Sequence, residues 1–476
     1  MTINRTALRA IIAIYFAALA VIYAIAWLSP AIGPFHDDAV YLVLAKAIAA
    51  GHGYRIESLP EPVPETGFPP LFPAILALFT LVSQQVQWLK LLPITCTVGW
   101  LILTRKLLLK MGASPNSALL LVGMTAASPT VVLLSTNLMA ESLFALLVTA
   151  ALLMLLEERA WLAGLFAGLA TLTRIAGVPL IVACILILLA RRRLRSAAIF
   201  AAVAMVMIAP WFGWSLAHAG NTYLSSNIVT GLPASEKLMV LGHNFFSLLA
   251  SPFALVTGYT NTFTISTTVV IVIGSLIVRR QVVPDLFVAL YCTALLCWIW
   301  PPERFLAPIL PLILWIVWRA FRKVEPREAV AAVVLIAALI PLFANATRKS
   351  TARDQAEMQK LFAFIRANTD PASVLLANQE AVVYLNTGRK AIRGFVPNGF
   401  DLYYAVRQSS ITPDKLSNAI RESHVSYVVL TPDADLAESP AFHESVSALE
   451  RGGVVEPVDL PGEARDYRLL KVVNGR

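Results

Sequence analysis

The sequence predicts a polytopic α-helical membrane protein of about eleven spans, with a small α/β domain outside the membrane at its C-terminal end. Three observations predict it. The mean hydropathy is +0.70, with 58% hydrophobic and 14% charged residues, the balance of a chain that meets lipid. The basic residues stand in short clusters between apolar stretches, as in cytoplasmic membrane loops. After Asn345 the composition turns polar, and the apolar runs shorten to strand length.

The same composition excludes other classes. A formal net charge of +9 would suggest a nucleic-acid partner in a soluble protein. No basic stripe with interleaved aromatics appears, so nucleic acid is not expected as a partner. Cys96, Cys184, Cys292 and Cys297 all lie in apolar segments without zinc spacing, which indicates neither a disulfide framework nor a thiol site. The chain has no phosphate-cradling glycine loop, dinucleotide turn or nucleophile elbow. ATP-driven transport and serine hydrolysis lose support accordingly.

Residues 7–28 form the first span. Arg5 and Arg9 precede or open it, and its apolar run of about 20 residues is longer than a signal-peptide core. It runs outward from a cytoplasmic N-terminus and delivers a first outer loop, residues 29–85. Within that loop, residues 71–81 are apolar but reach only about 17 Å against a core of roughly 30 Å. They read as a helix lying at the interface. Residues 86–109 return inward to Arg105, Lys106 and Lys110, and residues 116–134 go out again. A fourth span starts near Glu141 and ends at Glu157-Glu158-Arg159.

The stretch 161–190 is interrupted by Thr173-Arg174. As one helix it would place Arg191, Arg192, Arg193 and Arg195 outside, against the positive-inside rule. Two short helices with Arg174 at their outer junction are expected instead. Residues 197–216 form the seventh span, 218–237 a second outer loop and 238–255 an interfacial helix. Four further spans complete the count: one near 265–278, one ending at Trp300, one returning to Arg319, Arg322 and Lys323, and one at 329–343. Pro301-Pro302-Glu303-Arg304 reads as a tight outer turn.

Residues 1–345 are thus expected as a transmembrane domain and 346–476 as an extracytoplasmic α/β domain. In the latter, 353–368 reads as an amphipathic helix, and 373–377, 382–385, 425–430 and 467–472 as strands. No internal repeat of the kind common in transporters is present.

Candidate functional residues start with His36-Asp37-Asp38-Ala39-Val40-Tyr41, directly after the first span. Asp37 and Asp38 open a helical run that Gly51-His52-Gly53 ends. One Asp could simply cap this helix, contributing roughly 1 kcal/mol; one cap leaves the second acid unexplained. Two adjacent carboxylates should also push one of the pair upward in pKa. Arg174 and Arg304 sit beside apolar runs, where arginine faces a polar cavity or a phosphate, snorkels to the interface or pairs with an acid such as Glu303. Glu141 either complements a helix N-terminus or meets substrate. Trp211, Trp214, Trp298 and Trp300 fit an aromatic belt. His218 and His243 lack metal-ligand spacing, so no cofactor is called for, and a divalent metal stays open.

The order of these motifs resembles the GT-C membrane glycosyltransferases, especially the protein O-mannosyltransferase and lipid A aminoarabinose transferase branch. The resemblance rests on Asp37-Asp38-Ala39-Val40-Tyr41, Ala45, Gly51, Pro69-Pro70-Leu71, Leu172-Thr173-Arg174 and the run Arg304-Phe305-Leu306-Ala307-Pro308-Ile309-Leu310-Pro311. It covers roughly residues 7–321. Asp38 stands where the family often has Glu, and Phe68 where the aminoarabinose transferases carry Lys. The resemblance implies a GT-C-like catalytic domain in residues 1–345. It also implies sugar transfer from a polyprenyl-phosphate donor to a hydroxyl of a lipid, glycan or protein acceptor, with inversion, at the outer face of a cell inner (plasma) membrane. Asp37 would be the general base and Asp38 its support. Tyr41, Glu141, Arg174 and Arg304 would contact substrate. A transporter or lipid-linked-sugar flippase is the rival from another class, since membrane carboxylates and arginines also serve ion coupling.

Overall fold

A computed structural model describes residues 5–29, 32–33, 35–218, 228–229, 232–257, 281–300, 302–320, 350–395, 411–431, 439–460 and 467–473. The chain divides into two compact units. One comprises Met1–Pro30, Thr66–Phe72 and Gln85–Thr347; the other comprises Ala31–Glu65, Pro73–Gln84 and Arg348–Arg476. The spans expected near 265–278 and 329–343, and the boundary expected at 345, lie outside the described residues.

The first unit is helical. Among the described residues, Val86–Lys110 and Leu194–His218 are long and apolar enough to cross a membrane, at 25 residues each. Arg5–Leu28 is a third long helix. The span expected at 116–134 is not one straight helix. It is Pro115–Ala126 followed by Pro129–Ser135, bent by 67°. Ser128 causes the break by capping the second helix through the Val131 N–H, and Pro129 occupies its first turn, where no amide hydrogen is needed. The interruption expected at Thr173-Arg174 is present. Ala160–Thr173 ends at Arg174, whose backbone is extended, and a 3₁₀ turn at Ile175–Gly177 leads into Val178–Ala190.

Helix Ala160–Thr173 packs closely on Leu194–His218, and two glycines make this possible. A Cβ on Gly164 would lie 2.5 Å from the Phe200 carbonyl oxygen. One on Gly168 would lie 2.7 Å from Met207 Cβ. Small residues four apart let helix backbones approach, which matters most where lipid supplies no hydrophobic drive between helices. Beyond them, Ala234–Thr257 sends Asn244 to the end of Val282–Leu296, where its amide donates to the carbonyls of Leu295, Leu296 and Trp298. Carbonyls at a helix C-terminus need such donors from outside the helix. Glu303–Leu306, a 3₁₀ turn and Leu310–Ala320 follow. Glu303 and Arg304 therefore open a helix, with Pro302 at its cap, and do not form a free turn.

The second unit begins with helix Asp37–Ala49. It ends in a Schellman motif, in which the His52 N–H reaches the Ala47 carbonyl and the Gly51 N–H that of Ile48. Gly51, at φ +78°, takes the left-handed turn that this requires. Strands β1 (Arg55–Ile56) and β2 (Val63–Pro64) form a small antiparallel pair. The apolar helix Leu71–Val82 follows.

The remainder builds a five-stranded sheet from β3 (Val374–Ala377), β4 (Ala391–Ile392), β5 (Val425–Leu430), β6 (Val455–Pro457) and β7 (Arg468–Val472). The order is β4-β3-β5-β7-β6. β3 is parallel to both β4 and β5, whereas β7 is antiparallel to β5 and β6. Leu376, Leu416, Val428, Phe442, Val446 and Leu470 form its core. The strand expected at 382–385 is instead helix Glu380–Thr387, closed by Gly388 at φ +71°. Four apolar residues do not discriminate helix from strand, and the glycine stop decides in favour of helix.

Gly164→Leu should force helices Ala160–Thr173 and Leu194–His218 apart and lower stability by roughly 1–3 kcal/mol. Gly213→Ala, which meets nothing within 4 Å, should be neutral or stabilising by up to about 1 kcal/mol. Thermal unfolding of the detergent-purified protein separates the two; equal effects would refute the close approach.

Candidate active site

The acidic pair opens its helix in an unusual way. The N-cap position belongs to His36, which makes no side-chain cap bond; Asp37 and Asp38 are the first two helical residues. Neither acid therefore caps the helix, although both sit where its dipole favours negative charge. Asp38 is 1% exposed. Its Oδ2 accepts the Gly33 N–H at 2.7 Å and its Oδ1 the Phe35 N–H at 3.3 Å. Burial raises its carboxyl above the usual range, the two N–H donors offset part of that, and the Asp37 charge adds to the rise. Asp37, beside it, is half-buried.

Between the pair and Gly33 the backbone makes a tight turn. His36 has φ 58° and ψ −48°, and the Asp37 N–H reaches back to the Phe35 carbonyl at 2.6 Å. This is a γ-turn of the rare, strained hand. Its tension is met by the side chain. The His36 ring Nε2 lies 3.0 and 3.2 Å from the two carboxylate oxygens of Glu380. Arg393 Nε stands 3.1 Å from the same carboxylate and donates to the Asn378 carbonyl at 2.7 Å. Burial pushes Glu380 upward, but Arg393 and then His36 outweigh it and hold its carboxyl down at about 2.

Gly33, at φ +106°, is buried against this cluster, and a Cβ there would meet Val382 Cγ2 at 2.4 Å. Further along, the Ala391 N–H donates to the Ser58 carbonyl at 2.8 Å. Tyr41 is 1% exposed and belongs to the core of this unit. Tyr54 lies near it and near Glu65, with its hydroxyl pKa raised by burial first and by those neighbours second.

In the first unit, Glu141, Arg174 and Arg304 come together. Glu141 begins helix Glu141–Leu156 and is 2% exposed; Arg174 Nη1 donates to its Oε1 at 2.8 Å. Its Oε2 is buried without a hydrogen-bond partner, an arrangement that leaves one acceptor open. Arg174 lies over the Phe305 ring at 5.1 Å and Arg304 over the same ring at 4.9 Å, so the two guanidiniums are no more than about 10 Å apart. The Tyr291 hydroxyl donates to the Phe305 carbonyl at 2.9 Å, and its ring stacks on Phe144. These contacts hold the short Arg304-Phe305 segment in place. Chemically, the group offers two planar guanidiniums about one aromatic ring, near a carboxylate whose Oε2 has no hydrogen-bond partner: a setting for an anion bearing hydroxyls. Among the described residues, no three His, Cys, Asp or Glu side chains are disposed to hold a metal ion.

Comparison with known structures addresses the fold. No protein-family model matches the chain, and no curated protein matches its sequence. Among solved structures, ArnT from Cupriavidus metallidurans bound to undecaprenyl phosphate matches at a TM-score of 0.66, with 11% identity over 97% of this chain and 98% of that one. The apo form of the same protein matches at 0.64, with 12% identity over 97% of each chain. The chain has the ArnT fold. The mycobacterial arabinofuranosyltransferase AftD is also similar, at 0.46 and 16% identity, over all of this chain and 40% of that one.

Within this ArnT-like fold, His36 and Phe305 hold parts that the sequence did not assign to them, although both stand inside candidate motifs, and Gly33, Glu380 and Arg393 lie outside every candidate motif. Two signals point to them. Glu380 and Arg393 follow the carboxyl ends of the parallel strands β3 and β4, the ends at which open α/β sheets hold ligands. Phe305 stands directly after Arg304, where a ring can carry a cation.

The depressed Glu380 carboxyl has a consequence for acid stability. A carboxylate lowered on folding stabilises the fold fully above its unfolded value of 4.5, and that contribution disappears as pH falls through about 2. The wild-type melting temperature should therefore drop across this window, and Glu380→Gln should flatten part of the slope. Melts of the detergent-purified protein at stepped pH measure it; an unchanged slope would rule out the coupling.

Proposed function

We infer that this chain is a GT-C-type glycosyltransferase. In this reading it moves a sugar from a polyprenyl-phosphate donor to an acceptor hydroxyl at the outer face of a cell inner membrane. The observation that carries it is the unequal state of the acidic pair. Asp38 is buried and spends both oxygens on backbone N–H groups, while Asp37 remains half-buried at the head of the helix. The ArnT fold supports the choice of chemistry by analogy, since that protein is seen with undecaprenyl phosphate.

The acceptor O–H gives its proton to the Asp37 carboxylate. The acceptor oxygen forms a bond to the anomeric carbon as the bond from that carbon to the phosphate oxygen breaks, which inverts the centre and releases polyprenyl phosphate. A positioned carboxylate contributes typically 10²–10⁴-fold to such a step. Charge grows on the departing phosphate, where fixed cations stabilise it. Arg304 and Arg174 take that role, and the open oxygen of Glu141 accepts from a sugar hydroxyl. Tyr41 keeps the Asp37 helix packed. Each assignment rests on the geometry of its own unit. Eleven spans, a cytoplasmic N-terminus and a C-terminal α/β domain outside the membrane complete the proposal.

Purified protein offered undecaprenyl-phosphate-linked hexoses, pentoses and aminopentoses, with membrane lipid extract as acceptor, should release free undecaprenyl phosphate from at least one. Asp37→Asn should cut turnover by at least about 100-fold. Arg304→Ala should raise the donor KM by about tenfold. Wild-type turnover in Asp37→Asn would remove the base. Movement of the intact lipid-linked sugar across vesicles without cleavage would make the protein a flippase.

A further inference from the structure

We propose that His36, Glu380 and Arg393 form a positioning clamp through which the C-terminal sheet sets the geometry of Asp37. The inference rests on the reading of Asp37 as general base. It starts from the strain at His36. A non-glycine residue at φ 58° and ψ −48° occupies backbone space that persists only when its surroundings hold it there. Here the usual local remedy is absent, since the His36 side chain makes no cap bond. Its ring instead reaches Glu380, 344 residues further along the chain, with both carboxylate oxygens within 3.2 Å. Arg393 fixes that carboxylate from the other side at 3.1 Å.

The place of the clamp in the sheet supports a purpose beyond packing. Glu380 follows β3 and Arg393 follows β4, while β5 lies on the other flank of β3. Strand order thus diverges at β3, and the carboxyl ends of parallel strands at such a point are where α/β sheets bind ligands. In this chain the carboxylate there engages its own turn, and the guanidinium holds that carboxylate. Gly33 enters so closely that no Cβ fits. The sheet also takes the segment after the helix, through Ala391 to Ser58. The chain both before and after helix Asp37–Ala49 is therefore tied to one rigid element. Asp37 is bonded by its own N–H into the strained turn, so a turn that relaxes moves the carboxylate. A displacement of about 1 Å can cost about 10²-fold in rate. His36, Glu380 and Arg393 are positioning residues: they act on Asp37 and need not touch substrate.

The test uses the full-length detergent-purified protein and the undecaprenyl-phosphate sugar that wild type cleaves in the panel above. Glu380→Ala and Glu380→Gln should lower kcat by roughly 10–100-fold and leave the donor KM within about twofold. Glu380→Asp should recover part of the loss. Amide exchange at residues 35–38 should quicken in Glu380→Gln more than in the strands of the sheet, with the melting temperature lowered yet still well above the assay temperature. Wild-type kcat in Glu380→Gln, with Asp37→Asn inactive, overturns the clamp and leaves the base reading standing. A kcat loss that merely follows the folded fraction overturns it as well. Full activity of Asp37→Asn, or no turnover of any donor, overturns the base reading and the clamp with it.

Discussion

The constraint on which the acidic helix depends is the burial of Asp38. A carboxylate removed from water must be hydrogen-bonded or its burial costs several kcal/mol. Asp38 meets this by drawing the N–H groups of Gly33 and Phe35 onto its two oxygens. That choice bends the chain back on itself before the helix begins. The bend requires positive φ at Gly33 and at His36. Glycine accepts that backbone freely; histidine accepts it only under restraint. The hydrogen bond between His36 and Glu380 and the close seat of Gly33 on Val382 follow from there.

The first unit solves the same problem by different means. Its helices carry few charges, and those at its candidate site are paired, as Arg174 is with Glu141. Several of its hydroxyls are satisfied within their own helix. Thr97, Thr125, Thr136, Thr171 and Thr173 each donate to the carbonyl one turn earlier. Such bonds let polar side chains stand in apolar helices at little cost, where no water competes. Among the described residues, Oε2 of Glu141 is the one carboxylate oxygen that is buried without a hydrogen-bond partner. A buried acceptor without a donor is a feature that a substrate hydroxyl can complete.

The helical architecture was largely legible in the sequence, because long apolar runs and basic clusters leave few arrangements. The break at Arg174 followed from the Thr173-Arg174 interruption of an apolar stretch together with the placement of the basic cluster after it. The 67° bend at Ser128-Pro129 was missed, although serine before proline is a helix-start signal, because hydropathy runs straight through it. In the polar region, 382–385 was misread since four apolar residues fit either period. The strands β4 and β6 are two and three residues long and carry no pattern to read. Asp37 and Asp38 were legible as a pair, as were Arg174 and Arg304 as candidates. The link from His36 to Glu380 was not. It spans 344 residues, and a single sequence holds no trace of a contact that only tertiary folding creates.

That contact decides how the acidic pair should be understood. On sequence alone, helix capping competed with chemistry for either acid. Capping requires the side chain of the residue before the first helical turn, and that residue is His36. Asp38 is enclosed and holds the loop through both oxygens, so a solvent-side hydroxyl does not reach it without breaking that packing. Asp37 is the member of the pair that burial does not enclose. A general base needs both reach and a fixed position, and these are hard to combine in one partly exposed side chain. In the proposed role the two requirements are divided: Asp37 supplies the reach, while Asp38 and the His36–Glu380 contact hold the backbone that carries it.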